Sequence, residues 1–283
     1  MKRPFDSTLL DGILGELEIA DIAQATIRQS GEIARRMEKA TGEEVSHLEM
    51  GVPGLRPEEI GVEAERAALA AGVASIYPPM QGIPQLKQAA SRFIKAFLDI
   101  DLAPEGCIPT VGSMQGSFTV FLLCSQLDPK RRKILFIDPG FPVQRSQTHL
   151  MDIPSVSFDI YDYRAEKLGE KLESYLSEGD VAAIVYSNPN NPAWICLTEQ
   201  ELEIIGRLAT KYDTIVVEDL AYLGMDFRKQ LGRPCEAPFQ PTVARYTDNY
   251  ILMLSGSKIF SYAGQRIAIA AISDKLYGRH YPA

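Results

Sequence analysis

Ile251-Leu252-Met253-Leu254-Ser255-Gly256-Ser257-Lys258-Ile259-Phe260-Ser261-Tyr262-Ala263-Gly264-Gln265-Arg266 decides the fold of this 283-residue chain. The stretch opens as a short apolar strand and passes at once into small hydroxyl and glycine residues around one lysine. Arg266 follows Lys258 by eight positions, and 267–272 reads as another apolar strand. A lysine amine in this setting can form a Schiff base with an aldehyde, and the hydroxyls and guanidinium can hold a phosphate. Taken alone, Lys258 also reads as a solvated loop lysine.

Working outward, apolar runs at 134–137, 181–186 and 214–217 are strand-like, and helical patterns separate them at 112–127, 168–176 and 198–211. Thr198 with Glu201 three residues on forms a capping box for the last of these helices. Pro84 fits the first position of a helix over 84–98, with Leu86, Ala90, Phe93 and Phe97 on one face. Residues 58–71 read as a further helix, and 13–40 as one or two charged helices. Strands that are apolar on both faces and alternate with helices predict an α/β fold, with a mostly parallel sheet covered on both sides. The expected organisation is an N-terminal helical arm over 1–47 and a large domain over 48–283.

A hydrophobic content of 46% and a charged content of 23% are those of a soluble globular protein. The formal net charge of −8, with no concentrated basic face, argues against nucleic acid as a partner. The densest basic run, 130–133, reads as solvated loop. No apolar run approaches the ~20 residues of a membrane span. Cys107, Cys124, Cys196 and Cys235 lack metal-ligand spacing, and no signal peptide is evident, so a reduced cytoplasmic protein is expected. Three histidines, His47, His149 and His280, argue against a histidine-based metal site or triad.

Ligands of open parallel sheets gather at the carboxyl ends of the strands. Asn188 follows one strand, Asp219 another and the 255–258 stretch a third. Asn188 also reads as a turn residue and Asp219 as a helix cap or surface acid. The 112–116 loop opens a helix, whose first backbone N–H groups suit an anion. The joint occurrence at strand ends favours one site.

These residues belong to several motifs in a fixed order: 77–86 (Tyr77 to Leu86), Asp138-Pro139-Gly140-Phe141-Pro142, Ser187-Asn188-Pro189-Asn190-Asn191-Pro192, Glu218-Asp219-Leu220-Ala221-Tyr222 and the Lys258 segment. Over residues 48–275 the chain resembles the class I/II aminotransferases, fold-type I enzymes that use pyridoxal 5′-phosphate. Phe141 stands where the family has tyrosine, and Gly256 and Tyr262 are unusual in the lysine segment. The resemblance implies the seven-stranded sheet of the family's large domain. It implies a pyridoxal-phosphate-dependent transaminase that moves an amino group between an L-amino acid and a 2-oxo acid.

It also implies residue roles. Lys258 would hold the cofactor as an aldimine and shuttle the proton at the substrate Cα. Asp219 would pair with the pyridine nitrogen, and Tyr222 and Asn188 would hydrogen-bond the ring's 3′ oxygen. Phe141 would stack on the ring. Ser113, Met114, Ser255, Ser257 and Arg266 would hold the phosphate, and Gly51 would lie near the substrate carboxylate. Tyr77 would reach the cofactor of a neighbouring subunit, as the resemblance implies a homodimer. Family members continue into a C-terminal small domain that carries the carboxylate-binding arginine, so a fragment is expected here. A β-lyase or decarboxylase on the same fold shares every motif. A non-catalytic cofactor-binding module of a transcription regulator is disfavoured by the short, weakly basic stretch before residue 48.

Overall fold

The computed structural model describes residues 6–51 and 54–279. The chain divides into two units, Met1–Gly54 and Leu55–Ala283. In the first unit, α1 (Ser7–Glu16) and α2 (Ile27–Thr41) pack Ile13, Ile33 and Met37 into a small apolar cluster. Asp6 caps α1, and a Thr26–Gln29 capping box starts α2. Two capped starts explain why the charged stretch is two helices, the first beginning earlier than the apolar pattern suggests.

The second unit runs α3 (Glu59–Ala70), α4 (Pro84–Leu98), β1 (Cys107–Val111), α5 (Gly112–Leu127), β2 (Lys133–Asp138), α6 (Pro142–Leu150), β3 (Ser155–Asp159), α7 (Glu166–Leu176) and β4 (Val181–Ser187). It continues through α8 (Glu199–Lys211), β5 (Ile215–Leu220), β6 (Tyr250–Ser255), α9 (Gly256–Ile259), β7 (Ile267–Ile272) and α10 (Asp274–Tyr277). Seven strands form one sheet in the order β1-β7-β6-β5-β4-β2-β3. Pairing is parallel from β6 through β3, and β7 is antiparallel to both of its neighbours. This is the mostly parallel α/β sheet expected from the alternation of strands and helices.

Side chains alternate between the two faces of each strand. Leu135, Ile137, Ile184, Val216 and Leu252 join α4, α7 and α8 in one core. Ile134, Phe136, Val185, Val217 and Met253 join Val120, Phe121 and Cys124 of α5 in the other. Both faces are therefore dry, which is why these strands read as continuous apolar runs. Two strands have no counterpart in the sequence reading, β1 and β3, and both are edges of the sheet. Pro109 is tolerated in β1 because an edge strand can spare a ladder donor. In β3, Ser155-Val156-Ser157-Phe158 alternates because only one side reaches the core. α6 likewise has no counterpart in the sequence pattern, its short polar sequence lacking an apolar stripe.

The basic run is not a free loop. Arg131 donates to the carbonyl of Tyr212 at 2.6 Å, and Lys133 starts β2 while pairing with Asp180 at 2.6 Å. β5 extends past the apolar run to Leu220, which places Glu218 and Asp219 inside the strand. Among the described residues no helix is long and apolar enough to cross a membrane.

The Thr198–Glu201 capping box forms as expected, and Glu201 does more than cap. It is 1% exposed and takes a bidentate fork from Arg164 at 2.6 and 2.7 Å, together with the amides of Ala165 and Thr198. Burial alone would raise its pKa. The guanidinium and the two amides outweigh burial and hold the carboxyl at about 2. Removing the acid strands Arg164 and two amides at once. Glu201→Ala is therefore expected to lower unfolding stability by about 3 kcal/mol in urea titrations. A loss below about 1 kcal/mol would show that the fork is a surface pair.

Candidate active site

The strand directions bring one set of ends together. β2, β4, β5 and β6 finish on one rim of the sheet, and β1 finishes there too, because it and β6 both run against β7. Ser187 lies beside Asp219, Ser255 beside Ala268, and Val111 beside Ile267. The turns at Gly112, Asn188, Gly256 and Arg266 thus leave the same rim, which assembles residues scattered over more than half the chain.

The anion-binding part is built by close approach. Gly112 has φ 73°, and a Cβ there would stand 2.1 Å from Nη2 of Arg266. Only glycine permits both the backbone conformation and the contact. The guanidinium therefore rests on the first residue of α5, whose N-terminus carries no side-chain cap. The first-turn amides, those of Ser113 and Met114 among them, are the groups a helix start offers to an anion. Nη1 of Arg266 reaches the carbonyl of Ala263 at 2.9 Å and the Ser257 hydroxyl at 3.4 Å. Ser255 caps α9 by accepting from the Ser257 amide at 3.2 Å. Both serines are buried.

Lys258 lies in α9, half-buried. Burial, and secondly the charge of Arg266, hold its pKa below the usual lysine value. The shift raises the fraction of neutral amine, the form that adds to a carbonyl.

Asp219 is 6% exposed. Its carboxylate accepts from Gln144 Nε2 at 2.9 Å and from the amide of Ala221 at 3.1 Å. Burial pushes it up to about 6, against the lowering effect of those two bonds. Among the described residues no cation pairs with it. A buried carboxylate with donors but no counter-charge suits a cationic partner. Glu218, one residue earlier, is wholly buried and pushed up to about 7 by that burial. It is satisfied from within the fold, by the Thr242 hydroxyl at 2.5 Å and the Val243 amide at 3.1 Å.

Tyr222 is half-buried in the turn after β5. Burial, and then the nearby Asp219, raise its pKa. Phe141 is half-buried at the start of α6 and accepts from the amide of Gln144 at 3.1 Å. The same turn thus delivers Gln144 to Asp219. Sequence reading missed Gln144, although its place one turn into the helix after Phe141-Pro142 was a usable signal.

The structure does not support the role expected of Asn188. Its side chain is 1% exposed and turned inward, accepting from the Leu197 amide at 3.1 Å and facing Glu218 and the Pro241 carbonyl, each at 3.4 Å. Three residues on, Asn191 is half-buried, and its amide nitrogen in the backbone donates to Ser187 Oγ at 3.1 Å. Its side chain makes no hydrogen bond among the described residues. The run of three asparagines hid which side chain is committed to the loop. Trp194 was also missed. It lies in the same loop, edge-on to Tyr222 with ring centroids 5.6 Å apart.

Two expected residues are not brought into this rim by the second unit alone. Tyr77 is 99% exposed in the loop before α4. Gly51 belongs to the first unit and is exposed there.

The comparisons with known proteins agree with this geometry. The family described as Aminotransferase class I and II matches residues 50–279. An aspartate aminotransferase of Pyrococcus horikoshii is 26% identical over 260 residues, covering 90% of this chain and 61% of that protein. The asparagine–oxo-acid transaminase of Streptococcus mutans is 24% identical over 85% of this chain and 59% of its own length. Among solved structures, an alanine aminotransferase from Pyrococcus furiosus superposes with a TM-score of 0.73 at 23% identity, over 88% of this chain and 61% of that one. The chain thus spans about three fifths of the length of these relatives. With its sheet, its rim and a family match over residues 50–279, the chain belongs to the class I and II aminotransferases.

Proposed function

We propose that this chain carries the pyridoxal-5′-phosphate site of a transaminase that moves an amino group between an amino acid and a 2-oxo acid. The observation that carries the reading is the convergence of three unlike groups on one rim: a half-buried lysine, a buried acid without a counter-charge, and a guanidinium on a helix start. The cofactor has three matching parts, an aldehyde, a basic ring nitrogen and a phosphate. When bound, its ring supplies an electron sink for bonds broken at the substrate Cα.

The residues divide the work. Arg266, Ser255, Ser257 and the amides of Ser113 and Met114 would hold the phosphate. Asp219 would keep a proton on the ring nitrogen, with Gln144 fixing the carboxylate. Tyr222 would donate to the ring's 3′ oxygen, and Asn191 takes over from Asn188 as its amide companion. Phe141 would cover one ring face. The Lys258 amine would take the proton from the substrate Cα and return it one position away. The relatives named as aspartate, asparagine and alanine aminotransferases support amino acids and 2-oxo acids as the substrate class.

A second copy of the chain would complete the site. α3 has no buried residue, and beyond it Ile76, Tyr77 and Met80 are exposed at 70%, 99% and 103%. Such a contiguous apolar stretch suits a homodimer interface, from which Tyr77 would reach the partner's phosphate and which would set Gly51 near the substrate carboxylate. Light scattering is expected to give a dimer, with Tyr77→Phe weakening cofactor binding about tenfold through one lost hydrogen bond to an anion. A monomeric parent, or a Tyr77→Phe variant that binds cofactor as tightly as the parent, would contradict this.

Borohydride treatment after adding pyridoxal 5′-phosphate is expected to fix the cofactor on the peptide that contains Lys258, and on none in Lys258→Ala. With an amino acid present, a transaminase releases one oxo acid and no ammonia. Labelling elsewhere would overturn the site, and ammonia or carbon dioxide would assign another reaction to it.

Asp219 gives a pH test in the cofactor-free protein. Its folded pKa of about 6 lies above the ~3.9 of an exposed aspartate. The stability contributed by the neutral acid is whole below about pH 4 and is lost as pH rises through 6. Asp219→Asn should therefore gain stability over the parent as pH rises from 4.5 to 7.5, reaching about 1–3 kcal/mol in urea unfolding. A gain that does not change with pH would contradict the burial of an unpaired charge.

A further inference from the structure

Trp194 is the only tryptophan of the chain, and it sits in an unfavourable place. Its φ is 57°, in the left-handed region, which is unfavourable for a bulky side chain. It is 61% exposed, so burial returns little of that. The backbone is held there by a closed turn: the Trp194 amide donates to the Asn190 carbonyl at 3.0 Å, and the Asn190 amide donates to the Ile195 carbonyl at 2.8 Å. Asn190 is anchored in turn, its Nδ2 donating to the Pro139 carbonyl at 2.7 Å.

A rigid turn thus presents a large, exposed ring in a strained conformation. Among the described residues its one ring contact is Tyr222, met edge-on at 63°. Trp194 also lines a cavity of about 730 Å³ with Arg164, Asn188 and Gln240, and Tyr222 is not among the residues lining it. The indole therefore borders that cavity on the one hand and meets the phenol on the other. The charged group beside Tyr222 is Asp219, and burial is the main influence on the phenol.

We propose that Trp194 is the positioning residue of Tyr222: its indole edge fixes the phenol ring and keeps water from the cavity off it. The inference rests on the reading of Tyr222 as a ligand of the cofactor ring. It gives the strained turn of Asn190 to Ile195 a purpose that packing does not.

The test compares Trp194→Gly and Trp194→Phe with the parent, in the full chain loaded with pyridoxal 5′-phosphate. Three quantities are read: borohydride labelling of Lys258, urea stability, and the pH midpoint of the cofactor's visible spectrum. Glycine adopts the left-handed backbone freely, so Trp194→Gly should be at least as stable as the parent and should label Lys258 normally. Its spectral midpoint should move by about half a pH unit or more, since a better solvated, mobile phenol titrates differently. Trp194→Phe should restore the parental midpoint. Normal labelling with an unmoved midpoint overturns this inference alone. A less stable Trp194→Gly overturns it as well, by showing that the ring is structural packing. Absence of labelling in the parent overturns the reading of the site, and the inference with it.

Discussion

The organisation of the site follows from one buried charge. Asp219 sits at the carboxyl end of β5, the middle strand of seven, with Ser187 of β4 and Met253 of β6 on either side. A carboxylate at that depth is penalised unless something polar reaches it. Among the described residues the fold supplies two donors, Gln144 and Ala221, and no counter-ion. The neighbouring Glu218 shows the alternative outcome, since donors from the 242–243 turn satisfy it within the protein. Two acids adjacent in sequence therefore have different tasks, one holding a turn and the other facing a site.

Around Asp219 the rim combines parts of different rigidity. Lys258 and Ser257 are on α9 directly after β6, and Ser113 and Met114 are in the first turn of α5 after β1. These groups inherit the precision of the sheet. Arg266 is fixed by contact, because Gly112 lets the guanidinium lie against the helix start. Tyr222, Asn191 and Trp194 are on turns, and those turns are tied by Asn190, Ser187 and the pairing of aromatic edges. The groups proposed to hold the phosphate are thus built into regular structure, and those proposed to tune the ring are held by side-chain ties.

Much of this is legible in the sequence. The apolar runs of β2, β4, β5, β6 and β7 and the capping box of α8 were readable because each obeys a local rule of period or capping. The lysine, the acid and the arginine were readable because their motifs hold them at strand ends. The edge strands β1 and β3 escaped because an edge needs only one apolar side. The inward turn of Asn188 is not legible because three asparagines in four positions look alike in sequence, and only tertiary packing directs one of them at Leu197 and Glu218. Gln144 and Trp194 escaped for a related reason: each acts through a partner far away in the chain, Asp219 for the one and Tyr222 for the other.

The central claim is that Asp219 keeps a proton on the nitrogen of a bound pyridine ring. Solid-state nitrogen NMR of the protein loaded with isotope-labelled pyridoxal 5′-phosphate reads that proton directly. The account predicts a protonated ring nitrogen in the parent and an unprotonated one in Asp219→Asn. An unprotonated nitrogen in the parent, or one indifferent to the loss of the carboxylate, would contradict it.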